Sequence, residues 1–380
     1  MRLLLVVPDR PSEAPSGGDR YDVALASALR GRGVDVRVVR VPGRWPWPTP
    51  GERRGLAAVL AGGREPVLVD GLVAAAAPGE TAACAAARPT GVLLHSRLSS
   101  GAGASGAEAA ELDRREAAAL HAVGLVVVPS RFAGRELAEA YGVTEVVVAQ
   151  PGTDPAPVAT GSAGQGPPQL LTLGAVTPVK NHAVLLDALA LVRDLPWTAV
   201  CAGPVPDPAH LAELRRRTAT AGLADRVSWP GPLSGADLAR LWEGTDLLVH
   251  PSRSETYGLV VAEAHARGIP TVVGRGTGAE ETLSGPAIPA GLPAVSPDMD
   301  AETPEASRSA YPSAELPGDA VATDRPEVLA ETLRGWLTDP ALRRRWRDTA
   351  LARRGGLQGW DRTADTVADA LERLASPARA

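Results

Sequence analysis

The chain has 380 residues, with 39 basic side chains against 44 acidic ones and a formal charge of −5. At 44% hydrophobic and 22% charged residues it has the composition of a folded protein and not of a disordered one, and the mild acidity argues against a nucleic-acid partner, which calls for a basic face. Aromatic residues make up only 3%, so the cores have to be built from Ala, Leu and Val.

Short aliphatic runs alternate with helical patterns from the start. Leu3–Val7 reads as a buried first strand, followed by a helix over Tyr21–Gly31 and a strand at Val34–Val39. Pro66–Val69 and Val92–Leu94 are further strands, Glu108–His121 is a long helix, and Leu125–Val128, the helix Arg131–Tyr141 and Val146–Ala149 close this half. Runs that are apolar on both faces and separated by helices describe parallel strands buried between helix layers.

From Asp154 to Pro168 the composition changes to Pro, Gly, Ser and Ala with almost nothing to bury, which predicts a flexible linker over 155–168. The alternation then restarts: strands at Leu170–Leu173, Thr198–Ala202, Val227–Trp229, Leu247–His250 and Thr271–Val273, with helices between them. Residues 285–319 show no period and predict a flexible insert, and three helical stretches end the chain. The expectation is two α/β domains, 1–154 and 169–355, with parallel sheets facing across a cleft, and a final segment 356–380 that packs back on the first. Ligands in such domains bind at the carboxyl ends of the strands.

Cys84 and Cys201 are far apart and neither lies in a C-x-x-C, so no disulfide framework or zinc site is expected and the usage fits a reducing cytoplasm. No window approaches 18 uninterrupted apolar residues, so no membrane span is expected. Arg343–Arg345 with Trp346 and Arg347 suits either a solvated helix face or peripheral contact with an anionic membrane. Asp298-Met299-Asp300 spells D-x-D inside the insert and reads as chance, and Gly101–Gly106 matches G-x-G-x-x-G but stands too far from its strand. No metal and no cofactor is predicted.

The densest chemical signal runs from His250 to Ala264. A buried strand ends at His250, a short loop carries Glu255, and Gly258 permits a tight entry into a helix. Unpaired amides at that entry, with the positive end of the helix dipole behind them, make an anion site. Glu263 leans back toward the same N-terminus. Two carboxylates beside an anion site suit hydroxyl groups of a sugar and a ribose, although on residue types alone a capping Glu255 and a solvated Glu263 fit equally well. In Gly174–His182 a second strand turns into a helix at Lys180, the only lysine in the chain, where it can neutralise a diphosphate leaving group. Gly17 and Gly18 lie between the first strand and helix and allow close approach of a ligand, and His95 occupies the end of another strand, where a structural role is equally open.

The stretch from Pro251 to Glu281 resembles the signature of retaining family 4 glycosyltransferases, whose fold, GT-B, is two Rossmann-like domains. The element that carries it is E-x7-E, Glu255 through Glu263. The resemblance implies that Glu255 holds donor-sugar hydroxyls and that Thr256, Tyr257, Gly258 and Leu259 meet the sugar and diphosphate. It further implies that Glu263 binds the ribose, Lys180 balances the diphosphate, Gly17 and Gly18 approach it from the other domain, and His95 stands near the reacting sugar carbon. The donor would be a UDP- or GDP-sugar, the acceptor a small molecule, lipid or glycan, and no metal would be needed. One departure is Ala175, where the family usually has Arg; Arg20 or Arg97 are candidates to replace it. A nucleotide-sugar 2-epimerase or a catalytically impaired binding protein are the alternatives.

Overall fold

A computed structural model describes residues 1–10, 15–101, 106–164, 166–285 and 316–376. The D-x-D of the insert and most of the Gly101–Gly106 run lie outside the described residues. Among the described residues the chain divides into two compact units, one of 1–152 and 358–376, the other of 153–285 and 316–357.

The first unit begins β1 (Arg2–Pro8), α1 (Gly17–Gly31), β2 (Asp35–Val41), α2 (Pro50–Ala61), β3 (Val67–Asp70), α3 (Gly71–Ala76) and α4 (Pro78–Ala87). It continues β4 (Thr90–Leu93), α5 (Leu98–Gly101), α6 (Ala107–Ala122), β5 (Leu125–Val128), α7 (Arg131–Tyr141) and β6 (Val147–Val148). The strands form one six-stranded sheet in the order β2-β1-β3-β4-β5-β6. Successive side chains of a strand point to opposite faces. Leu4 and Val6 therefore enter a core with Val69, Val92 and Leu120, and Leu3 and Leu5 enter one with Tyr21, Leu25 and Leu29. This second face is completed from the far end of the chain, by Val367 and Leu371.

The helix α1 begins earlier than its sequence suggests. The Ser16 hydroxyl oxygen accepts from the Asp19 amide and the Asp19 carboxylate accepts from the Ser16 amide, a capping box. Gly17 and Gly18 are thus the first helical turn and not a loop. The Ala-rich stretch 71–87, unassigned by periodicity, forms α3 and α4, with Asp70 accepting from the Leu72 and Val73 amides to start the first of them.

The second unit runs β7 (Gln169–Leu173), a 3₁₀ turn at Pro178–Lys180, α8 (His182–Leu191), β8 (Thr198–Ala202), α9 (Pro208–Thr220), β9 (Val227–Gly231) and α10 (Gly235–Glu243). Then come β10 (Leu247–His250), α11 (Leu259–Ala266), β11 (Thr271–Gly274), α12 (Gly278–Ser284), β12 (Gly318–Val321), α13 (Pro326–Thr338) and α14 (Pro340–Arg353). The last helix, α15 (Trp360–Ala375), belongs to the first unit. The sheet of the second unit is also six-stranded and parallel, in the order β12-β11-β10-β7-β8-β9. No described helix is long and apolar enough to cross a membrane.

Two expectations are corrected in this unit. Residues 318 and 319 are not part of a flexible insert: they open β12, which pairs with β11 from Thr271↔Gly318 to Gly274↔Val321. A side chain at Gly318 would lie 1.7 Å from the Thr271 carbonyl oxygen, so the strand starts on glycine and carries little hydrophobic signal. Nor is 155–168 a free linker. The Ala159 amide donates to Arg267 (3.0 Å), the Gly161 amide to Glu243 (2.8 Å) and the Ser162 amide to Asp246 (3.0 Å), while Arg347 and Arg354 donate to the carbonyls of Ala159 and Ala156. Backbone bonds fasten a segment that has few side chains to bury. They also use one member of the basic run of α14, and Arg343 of the same run lies 5.8 Å over the Trp336 ring.

A polar network fixes the segment that follows β4. Arg97 donates to Asp113 (3.0 Å) and to the Tyr141 hydroxyl (3.2 Å), and Ser99 donates to Asp113 (2.6 Å). Tyr141 has one proton yet stands 2.5 Å from Asp113 and 2.7 Å from Glu116, and Glu116 accepts from the Leu98 amide. Two short oxygen–oxygen contacts need a second proton, and Glu116, 1% exposed, is pushed by burial up to about 7 and supplies it. Because the folded state holds this proton more tightly than the unfolded chain, ionisation of Glu116 destabilises the fold as pH rises from the ordinary carboxylate range through 7. Glu116→Gln reproduces the protonated geometry. The variant should therefore gain on the wild type between pH 5 and pH 8, by up to about 3 kcal/mol, measured as the difference in urea midpoints.

Candidate functional site

In the second unit the chemistry collects where β7 and β10 end. Thr177–Lys180 follows β7 and Pro251–Glu255 follows β10, and the Arg253 amide donates to the Val179 carbonyl (2.9 Å), locking the two loops together. Asn181, whose backbone is left-handed at φ 59°, donates its side-chain amide to Pro251 (3.2 Å) and Thr323 (2.7 Å). The result is that the Lys180 ammonium donates to a Glu255 carboxylate oxygen at 2.5 Å, and the same oxygen lies 2.9 Å from His250 Nε2. Ser252 Oγ is 3.1 Å from that nitrogen.

The electrostatics follow from this geometry. Burial works against charge on Glu255, but the Lys180 charge and the His250 hydrogen bond outweigh it and hold the carboxyl well below the usual range. Burial pushes His250 down, so the ring is neutral and donates from Nε2 to the carboxylate. Glu255 is therefore a fixed anion with one oxygen committed, and Lys180, 23% exposed, is the cation paired with it.

Close backbone contacts set the loop. A side chain on Gly278 would stand 2.0 Å from the Thr256 carbonyl oxygen, and the Gly278 amide donates to the Glu255 carbonyl (2.6 Å). Thr282 donates to the Tyr257 carbonyl. Gly258 takes φ +84° and precedes α11 with no side-chain cap, so the amides of Leu259 and Val260 make no intrahelical bond and are left at the open first turn of the helix. Glu263 sits in the second turn of α11, partly exposed. The structure thus gathers Lys180, Glu255, Thr256, Tyr257, Gly258, Leu259 and Glu263 in one unit.

The first unit holds the other residues singled out in the sequence. His95 follows β4, and its Nε2 is 2.9 Å from Asp22 on α1 and 3.5 Å from Asp70 at the end of β3. Gly18 lies against the ring: a side chain there would be 2.8 Å from His95 Cδ2. The space left by this glycine is thus filled by an imidazole. Burial opposes charge on His95, yet the Asp22 charge and hydrogen bond, with Asp70 behind, hold it up at about 8. Burial and the Asp22 charge push Asp70 up to about 6. Arg97, one candidate to replace the cation missing at Ala175, is occupied by Asp113 and Tyr141.

Sequence reasoning assigned no role to the side chains of His250, Ser252, Asn181, Asp22 and Asp70 or to Gly278. One signal was available for Asp22: it interrupts the buried stripe Tyr21, Leu25, Ala26, Leu29 with a carboxylate.

Comparison with known proteins places part of this unit in a described family. Residues 160–285, the part that carries Lys180, Glu255 and Glu263, match the family described as glycosyl transferases group 1. A D-inositol 3-phosphate glycosyltransferase of Kineococcus radiotolerans is 30% identical over 262 residues, covering 63% of this chain and 54% of its own. One from Jonesia denitrificans is 37% identical over 121 residues, 30% of this chain and 28% of its own. The chain thus spans about a quarter to about half the length of these relatives. Among solved structures, sucrose-phosphate synthase from Thermosynechococcus elongatus superposes with a TM-score of 0.75 at 18% identity, covering 98% of this chain and 99% of the other. Anabaena HepE in complex with UDP and glucose gives 0.68 at 17% identity, covering 98% and 100%. The fold is GT-B.

The backbone contact at Gly278 is testable directly. Gly278→Ala should displace the 255–257 loop and destabilise the second unit by roughly 1–3 kcal/mol, read as a lower urea midpoint.

Proposed function

We propose that the chain is a retaining, metal-independent glycosyltransferase of family 4 that moves a sugar from a UDP- or GDP-sugar to an acceptor hydroxyl in the cytoplasm. The observation that carries this reading is the Lys180–Glu255 pair beside the uncapped start of α11, within the segment that matches the group 1 glycosyltransferases. The names of the relatives and the UDP and glucose held by a protein of the same fold support it.

In this reading the diphosphate lies against the Leu259 and Val260 amides and draws Lys180 toward itself. The bond between the anomeric carbon and the diphosphate oxygen breaks, and Lys180 stabilises the charge that collects on the leaving group. Glu255, kept ionised, accepts hydrogen bonds from sugar hydroxyls, and Glu263 from the ribose of the nucleotide. The acceptor oxygen bonds to the anomeric carbon on the face the diphosphate leaves, and its proton passes to the leaving phosphate. Gly17, Gly18 and His95 lie in the first unit. Lys180 supplies the positive charge that a divalent ion supplies elsewhere.

A thermal-shift screen of nucleotide sugars tests this, because a ligand of the folded state raises the melting point by mass action, about 2.7 kcal/mol at 100 times Kd. UDP- or GDP-sugars should raise it, and Lys180→Ala should remove most of the rise. Glu255→Ala should keep nucleotide binding and lower turnover by about 10²–10³-fold. Near-normal rates in both variants would refute the assignment.

A further inference from the structure

The trio around His95 is built from three separate elements of the first unit. Asp22 comes from α1, Asp70 from the end of β3 and His95 from the segment after β4, and their nearest ligand-type atoms all lie within 4.8 Å of one another. Asp22 is 4% exposed and Asp70 5%. Two carboxylates removed from water this close together repel each other unless one takes up a proton or a cation stands against both, and the group in contact with both is the imidazole, through Nε2.

The ring is held by more than charge. Gly18 backs its Cδ2 edge, and Tyr21 meets it edge-on with centroids 5.2 Å apart. Tyr21 is itself fixed by donation to the Ala149 carbonyl (2.7 Å). Asp70 cannot swing away, because its other oxygen accepts the Leu72 amide at 2.8 Å. Asp19, on α1, adds a further negative charge felt by His95, and Arg10 is a positive charge felt by Asp70.

We infer that Asp22, with Asp70 behind it, is a positioning residue that holds His95 as a fixed cation for glycosyl transfer, so that Nε2 is committed as a donor and does not serve as a base. This rests on the reading of His95 as a residue at the reacting sugar. It gives Gly18 a reason that does not involve the ligand: any larger residue displaces the ring from the clamp.

The test begins without substrate. The full chain, labelled in its six histidines and assigned with His95→Gln, is titrated by NMR. The His95 resonance should titrate near 8, and in Asp22→Asn it should move toward the ordinary imidazole range, while Asp22→Glu should restore much of the shift. Titration of wild-type His95 at or below the ordinary range would overturn the proposal, as would paramagnetic broadening of its signals by Mn²⁺, which would make the trio a metal site. The second arm follows UDP release from UDP-glucose. Asp22→Asn should lose about 10- to 100-fold in kcat with KM within about threefold, and its rate should fall at lower pH than in the wild type. Gly18→Ala should act in the same direction. If His95→Gln is as active as the wild type, the role of His95 in the reaction fails. If His95→Gln is impaired while Asp22→Asn keeps the wild-type titration and pH profile, the clamp fails and the role of His95 stands.

Discussion

Every strand of the two sheets runs parallel to its neighbours, and a parallel sheet can be built only if the chain crosses back over it after each strand. Helices therefore cover both faces, the strands are apolar on both sides, and polar side chains are driven to the strand ends. The residues of the candidate sites follow this constraint. His95 follows β4, Asp70 ends β3, Lys180 follows β7, and His250 and Glu255 end and follow β10. Charge is concentrated at those ends because the sheet offers it no other place near the axis of the fold.

Charge placed there is held by pairing. Glu255 stays ionised because Lys180 and a neutral His250 both reach one of its oxygens, and His95 is surrounded by Asp22 and Asp70. The two arrangements have opposite sense. In the second unit a cation is partly exposed beside an anion that is fixed, whereas in the first a cation is fixed between anions that are buried. Removing the imidazole would leave two carboxylates facing one another in a dry place, which is costlier than the loss of any single hydrogen bond.

The sequence was legible where one residue type determines the structure. Leu3–Val7, Leu125–Val128 and Leu247–His250 are buried on both faces and are found as strands, and the order of strand and helix was enough to give the α/β class. Lys180 and Glu255 were legible because of their place between strand and helix. What was not legible depends on partners distant in the chain. β12 starts on Gly318 because of Thr271, the segment 155–168 is held by carbonyls and carboxylates of other loops, and Gly17 and Gly18 become helical because Ser16 and Asp19 cap each other. Asp22 shows the same limit: one carboxylate in an apolar stripe has no meaning until β3 and β4 bring Asp70 and His95 to it.

The helix α15 has a consequence for how the molecule is made. Val367 and Leu371 close a face of the first sheet, yet they are translated after the whole of the second unit. On the ribosome the amino-terminal unit must wait with one side of α1 and the Leu125 and Val127 side of β5 uncovered, while the later unit is already complete at Leu357. The order of synthesis and the order of completion are reversed, and the uncovered face is the part of the nascent chain that a chaperone would have most reason to shield.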